Sequence, residues 1–269
     1  MVSKEDKEAI LNRYTKKEEK LLASFVIDKI NKFENTGYVT FTYFLDLNEK
    51  QITIDILNKL KIKYNVFSPI QDISRFVVFL VPDYFNDNDI YEMYSKYITC
   101  IKVVGIKRQP FTHSQCMGTI YSLGIKREML GDIFVFNKAC YFFAFKSIEK
   151  YILSNLGKIA KIEVNTSILE LNSDEIRNIH IDFKSVDIIV SSLRIDTILA
   201  EVFKLSRNEV KEKINKGYLY INSKEMYFVA YSVIQGDIIS FKHFGKFKVG
   251  NVIRSTKSGK TVINIQKYS

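Results

Sequence analysis

Apolar residues recur along this chain at two spacings, and the spacing changes from stretch to stretch. Intervals of three and four predict helices and intervals of two predict strands, so a mixed α+β fold is expected. Charged residues run to Lys20, after which Leu21, Leu22, Phe25, Val26 and Ile30 form a helical stripe; residues 5–34 are expected as one helix, stopped at Gly37. Residues 38–45 alternate toward strand and 49–60 return to a helical period. Lys61–Phe67 and Arg75–Val81, rich in β-branched and aromatic residues, read as strands. The next set is strand Ile98–Ile106, helix His113–Leu123, strand Ile133–Phe136, strand Cys140–Lys146, helix Ser147–Leu156 and strand Lys161–Val164. Farther on, Ile195, Ile198, Leu199 and Val202 share one helical face, and Val210 and Ile214 give a second, shorter helix its own apolar side. Ser206 with Glu209 three residues on is a capping box that starts this second helix, and Gly217 after Lys216 is a suitable stop. Strands follow, ending with Phe247–Ser255 and Thr261–Lys267 joined by a basic hairpin tip, Thr256–Lys260.

These elements group into five parts. Residues 1–85 form a small N-terminal α/β domain, and the turn-rich stretch Pro82–Asp89 separates it from a middle domain over 90–168. The middle order, βαββαβ, is that of the ferredoxin-like arrangement used by many RNA-recognition (RRM-like) modules. Tyr141, Phe143 and Phe145 alternate on one face of its third strand, where they either stack bases or pack; packing beneath the domain's two helices is the favoured role. Residues 169–191 are a connector, extended over Ile179–Val190, and 192–250 form the αα-then-β domain, with 251–269 as a C-terminal hairpin extension.

Composition narrows the class. Hydrophobic residues make up 46% of the 269, with three prolines, which is the composition of a folded protein rather than a disordered one. The net charge of +10 is unevenly spread: residues 1–90 hold 13 Lys/Arg against 14 Asp/Glu, residues 91–180 hold 12 against 8, and residues 181–269 hold 15 against 8. The last two thirds therefore ask for a polyanionic partner. Cys100, Cys116 and Cys140 are odd in number and lack C-x-x-C spacing, so core thiols in a reducing compartment are expected. The charged start lacks the apolar core of a signal peptide, and no stretch reaches the length needed to span a bilayer, so a cytoplasmic protein with no membrane partner is expected.

Catalytic and cofactor motifs fail on spacing. Ser258-Gly259-Lys260-Thr261 ends like a phosphate-binding loop, but Arg254 stands where its first glycine belongs and strands follow. No G-x-G-x-x-G is present, and His113, His180 and His243 are too scattered for a metal, so neither cofactor nor metal is expected. Arg194-Ile195-Asp196 is superficially like the catalytic motif of pseudouridine synthases, yet only about twenty residues follow its domain, too few for a catalytic one.

The chemistry that remains is cationic. Arg207 and Lys211 lie four residues apart on a helical face that the apolar stripe does not use, and Lys204 extends it. Arg-x-Asp at Arg194–Asp196, Ser206-Arg207, Lys216-Gly217 running to Asn222, and Gly236-Asp237-Ile238-Ile239 follow in that order. Together they resemble the small RNA-binding domain named after the fourth protein of the small ribosomal subunit, the S-four domain. The resemblance implies a reader of RNA backbone and shape, with Arg194, Ser206, Arg207, Lys211, Lys216, Lys242 and Lys246 on its binding side. In the middle domain, Leu123-Gly124-Ile125-Lys126-Arg127-Glu128 leads to Gly131-Asp132-Ile133, a bent loop that offers Lys126 and Arg127. That loop after His113 and its helix, with the S-four pattern downstream, resembles the YlmH-type proteins of bacteria and plastids. The chain departs from them at Ser114–Met117, where an acidic residue and Leu-Gly are more usual, and at Lys242–Phe247, which replaces a more arginine-rich segment. The resemblance implies a non-enzymatic factor that binds the rRNA of the large ribosomal subunit and tRNA or peptidyl-tRNA during rescue of stalled translation. A monomer is expected. The competing reading is an RNA-modifying enzyme that uses the S-four domain for targeting.

Overall fold

The computed structural model describes residues 2–70, 73–107, 109–179 and 183–268. The chain divides into two compact units, residues 1–181 and 182–269.

The first unit opens with α1 (Lys4–Leu11), whose N-cap Ser3 accepts the Asp6 N–H at 3.0 Å, and α2 (Lys17–Thr36), closed by Gly37 at φ 68°. The single helix expected over 5–34 is thus two. A turn at Asn12–Lys16 lets the charged prelude fold back along α2, where the Val2 N–H donates to Asn31 Oδ1 at 2.8 Å and Ile10 is buried with Leu22 and Val26. Next come β1 (Thr40–Phe41), α3 (Leu47–Lys59), started by an Asp46–Glu49 capping box, β2 (Tyr64–Phe67) and β3 (Val77–Leu80). The three strands pair antiparallel in the order β1-β3-β2.

A helix absent from the sequence reading, α4 (Ile90–Tyr97), precedes β4 (Ile98–Gly105). The unit continues with α5 (His113–Ser122), β5 (Leu130–Phe136), β6 (Ala139–Phe145), α6 (Glu149–Asn155), β7 (Lys158–Ile159), β8 (Ile162–Leu169) and α7 (Asp174–Arg177). The second sheet has the order β5-β6-β4-β8-β7, with antiparallel pairs throughout.

The two sheets face each other. Along β3, Val78 and Leu80 join the core under α2 and α3, while Val77 and Phe79 point to the other side and pack with Tyr141, Phe143 and Phe145. Along β6, Cys140, Phe142 and Ala144 pack with Cys116 and Ile120 of α5 and Ile152 of α6. The layers therefore run helices, sheet, sheet, helices. This corrects the sequence reading twice. The aromatics at 141, 143 and 145 lie on the face away from α5 and α6, and the boundary expected between residues 85 and 90 does not separate two cores, because one cluster spans it. The physical reason is period two: with even positions committed to the helices, the odd aromatics need a cover, and β1 to β3 supply it.

Gly131 and Asp132 fix that cover. A Cβ on Gly131 would stand 2.8 Å from Phe44 Cε1 and 2.9 Å from Phe143 Cβ, so only glycine allows the contact. Asp132 Oδ2 accepts the backbone N–H groups of Ser74 and Arg75, both at 2.8 Å.

The second unit holds β9 (Phe183–Val190), α8 (Ile195–Phe203), α9 (Arg207–Asn215), β10 (Leu219–Ile221), β11 (Lys224–Glu225), β12 (Ile238–Phe241), β13 (Gly245–Ser255) and β14 (Thr261–Tyr268). Its sheet is antiparallel in the order β11-β10-β12-β13-β14-β9. The stretch expected as a connector thus supplies an edge strand, since Ile188 and Val190 bury against α8, and the expected C-terminal extension is interior to the sheet. Asn222 and the buried Asp237 lock β10 to β12: Asn222 Nδ2 donates to Asp237 Oδ1 at 2.9 Å, and the Ile238 N–H donates to Asn222 Oδ1 at 2.9 Å. Two of the four ordered motifs therefore serve folding. Among the described residues, no helix is long and apolar enough to cross a membrane.

Two glycine substitutions should act in opposite directions in urea unfolding of the full chain. Gly131→Ala should destabilise by about 1–3 kcal/mol through overpacking. Gly118→Ala, in α5 with nothing within 4 Å of the added methyl, should stabilise by up to about 1 kcal/mol. A Gly131→Ala protein as stable as the parent would contradict the close approach of the two sheets.

Candidate nucleic-acid interface

The centre of the cationic surface is an acid. Asp196 falls in the first turn of α8 and is fully buried. Its Oδ1 accepts from Arg194 Nε at 3.0 Å and from the Thr197 N–H at 3.0 Å, and its Oδ2 accepts from Arg194 Nη2 at 3.1 Å and Arg207 Nη2 at 3.0 Å. Arg207 Nη2 also donates to Thr197 Oγ1 at 2.9 Å. Two helix starts are thereby joined through one carboxylate. Each guanidinium is half exposed and, among the described residues, Nη1 of Arg194 and Nε and Nη1 of Arg207 have no partner. The trio carries one net positive charge and presents fixed, planar donors of the kind that grip phosphate.

Burial is the largest influence on the Asp196 carboxyl and pushes its pKa up, but hydrogen bonds and charge from Arg194 and Arg207 outweigh it and hold the value below that of an ordinary aspartate.

The other expected residues distribute around this clamp. Ser206 is the N-cap of α9: its hydroxyl accepts the Glu209 N–H at 3.2 Å, and its own N–H donates to Glu209 Oε2 at 2.8 Å. Lys211, a turn beyond Arg207, is exposed and has no side-chain partner among the described residues. Lys204 is tied to Glu201, and Lys216 to Glu212 at 2.6 Å. At the far end of α9, Lys213 Nζ sits 5.0 Å from the ring centre of Phe244, so the turn carrying Lys242 packs there. Lys242 is exposed; Lys246 is half-buried with its Nζ 4.5 Å from the Tyr268 ring centre.

A groove of about 250 Å³ adds a residue that the sequence reading left out of the site. Lys260, from the β13–β14 turn, lines it together with Thr197 and Arg207. Lys257 and Lys260 are both exposed on that turn. The sequence signal was the basic hairpin tip itself; its arrival beside α8 and α9 is set by the sheet order. Asp196 was named only as part of the Arg-x-Asp motif and given no role in the site, although an acid one residue past Ile195 and two before Ile198 lies at the edge of the buried stripe.

In the first unit, Lys126 and Arg127 are exposed on the loop between α5 and β5, which bends at Gly124 (φ 74°) and passes through a single 3-10 turn at Arg127–Met129. Lys126 Nζ is 4.0 Å from Glu128, and the Arg127 carbonyl accepts from Arg75 Nη2 at 3.1 Å. The loop is anchored to its own unit while its two cations remain in solvent. His113 Nε2 is 3.1 Å from the Ile133 carbonyl oxygen, a structural contact, and His243 packs on Tyr218. His180 lies outside the described residues.

The clamp has a pH signature. Because the folded-state pKa of Asp196 is depressed, its stabilising contribution is complete above the unfolded aspartate value of about 3.9 and is lost as pH falls through the lower folded value. Unfolding of the full chain measured between about pH 5 and pH 2 should therefore show a loss of stability that is smaller in Asp196→Asn, and Arg207→Ala should cost less in that background than in the parent. Identical pH profiles for the parent and Asp196→Asn would contradict the clamp.

Residues 101–173, from β4 through β8 to the end of that segment, match the family model described as "Putative RNA-binding domain in YlmH". Over 155 residues the chain is 24% identical to "Ribosome-associated protein quality control protein P2" of Bacillus subtilis (strain 168). That match covers 58% of this chain and 60% of the relative, so under two thirds of the relative's length is spanned. Among solved structures, "Cell division protein ylmH from Streptococcus pneumoniae" aligns with a TM-score of 0.49 and 18% identity, over 58% of this chain and 93% of that one. Over these residues the chain is similar to YlmH-type proteins, and its β4–β8 segment is the part to which the family's RNA-binding description applies.

Proposed function

We propose that this protein binds RNA on the large ribosomal subunit without catalysing a reaction, contacting rRNA and tRNA or peptidyl-tRNA during rescue of stalled translation. The observation that carries the reading is the Asp196 clamp, with two guanidinium groups held in place while several of their N–H donors stay unpaired beside Lys211 and Lys260. In this reading the second unit is an S-four-type domain that works by neutralising phosphate and reading shape. In the first unit, β4 lying between β6 and β8 with β5 beyond β6 supports reading that sheet as a ferredoxin-like (RRM-like) domain. Lys126 and Arg127 give it a separate contact. Two weak sites on one chain raise affinity for a surface presenting both targets. The name of the Bacillus subtilis relative supports the ribosomal setting, and a ribosomal partner supports a cytoplasmic protein; we take it to act as a monomer.

The test is sedimentation of the tagged full chain through a sucrose gradient. Co-migration with free large subunits is expected, and migration only at the top of the gradient would contradict the proposal. On a structured fragment of large-subunit rRNA, Lys211→Ala with Lys260→Ala should weaken binding and flatten the dependence of log affinity on log salt by roughly 0.7–0.9 for each contact removed. Arg207→Ala is the poorer probe, because it also unties the clamp.

A further inference from the structure

A cleft of about 610 Å³ opens in the first unit where α2, β1 and the end of α4 meet the loop before β5 and the turn after β6. Its lining is aromatic and only half-buried: Phe41 and Tyr97 lie 4.6 Å apart between ring centres, and Phe25 and Tyr43 lie 5.0 Å apart. Phe145, buried, stands 5.5 Å behind Phe41. Three ammonium groups, on Lys29, Lys96 and Lys146, border this apolar surface against the single carboxylate of Glu128.

Those cations are not equivalent. Lys96 pairs with Glu92 at 3.0 Å, and Lys146 donates to the Ser95 carbonyl at 3.1 Å. Lys29 is half-buried with its Nζ 5.1 Å and 5.8 Å from the ring centres of Phe25 and Phe41, and among the described residues no carboxylate lies within ion-pair distance. Burial, then the neighbouring Lys32 charge, lowers its pKa. A partly dehydrated cation over aromatic faces is complemented by an anion that arrives attached to a flat ring.

We propose that this cleft takes one unpaired nucleotide of a bound RNA, its base against the wall of Phe41 and Tyr97 and its phosphate on Lys29. The proposal rests on the RNA-binding reading and extends it by assigning a pocket and a ligand. The excess of positive charge disfavours a basic or purely apolar peptide in its place. Glu128, Met129, Phe145 and Lys146 of the lining lie within residues 101–173, the segment that matches the RNA-binding family model. The cleft also differs from the sheet face of Tyr141 and Phe143, which is closed.

The test uses the full chain and three hairpins of equal length: one with a single bulged 2-aminopurine, one with an abasic residue there, and one fully paired. The bulged hairpin should bind about tenfold tighter than the abasic one, as a base–aromatic contact implies, with a change in 2-aminopurine fluorescence. Lys29→Gln, and separately Tyr97→Leu, should abolish that difference while leaving affinity for the fully paired hairpin unchanged. Equal binding of bulged and abasic hairpins by the parent would overturn the cleft assignment alone and leave the RNA-binding reading standing. Failure to bind any of the three would overturn both.

Discussion

Burial of one aromatic sheet face against another holds the first unit together. Phe143 of β6 meets Phe67 edge-on at 5.4 Å, and Phe145 meets Phe44 at 4.9 Å, both within the range where aromatic pairs add to simple area burial. Gly131 permits the approach, and Asp132 ties down the strand that brings Phe76 and Phe79 into place. The N-terminal residues are therefore a lid on the middle sheet, and removing them would expose a row of phenylalanines.

That constraint decides where RNA can be met. A four-stranded sheet with exposed aromatics can read single-stranded bases by stacking; here the equivalent side chains are sealed. Under the proposed function, recognition is left to surface cations and to the rim of the lid. The second unit, with 15 Lys/Arg against 8 Asp/Glu over residues 181–269, has the charge for it, and Asp196 gives two of those cations a fixed position. A buried carboxylate between two arginines orients them in advance, so less side-chain freedom is lost when phosphate arrives.

Local features were legible in the sequence and distant pairings were not. The stripe Ile195, Ile198, Leu199 and Val202, the Ser206–Glu209 box and the turn at Thr256–Lys260 each depend on neighbours within a few residues, and each is present as expected. The helix α4 was missed although Ile90, Met93, Tyr94 and Tyr97 have helical spacing, because turn residues up to Asp89 and the β-rich run from Ile98 crowd it on both sides. Alternation in β6 identified which side chains share a face but could not say what covers it. The unbroken apolar runs Val77–Leu80 and Ala139–Phe145 were the available signal, since a strand buried on both faces has no reason to alternate. Likewise Arg194-x-Asp196 is a local pattern, whereas the closure of Arg207 onto the same carboxylate and the approach of Lys260 depend on how α8, α9 and β14 pack.

The central claim is that the charged surface of the second unit, and not the sheet face of the first, meets RNA. Ultraviolet crosslinking of the full chain to large-subunit rRNA, with crosslinked peptides mapped by mass spectrometry, tests it most directly. Crosslinks should include residues 194–216 and 242–260, whatever the loop at Lys126–Arg127 and the cleft at Phe41 and Tyr97 add, and be absent from Tyr141 and Phe143. Crosslinks at Tyr141 or Phe143, with residues 194–216 silent, would contradict the account.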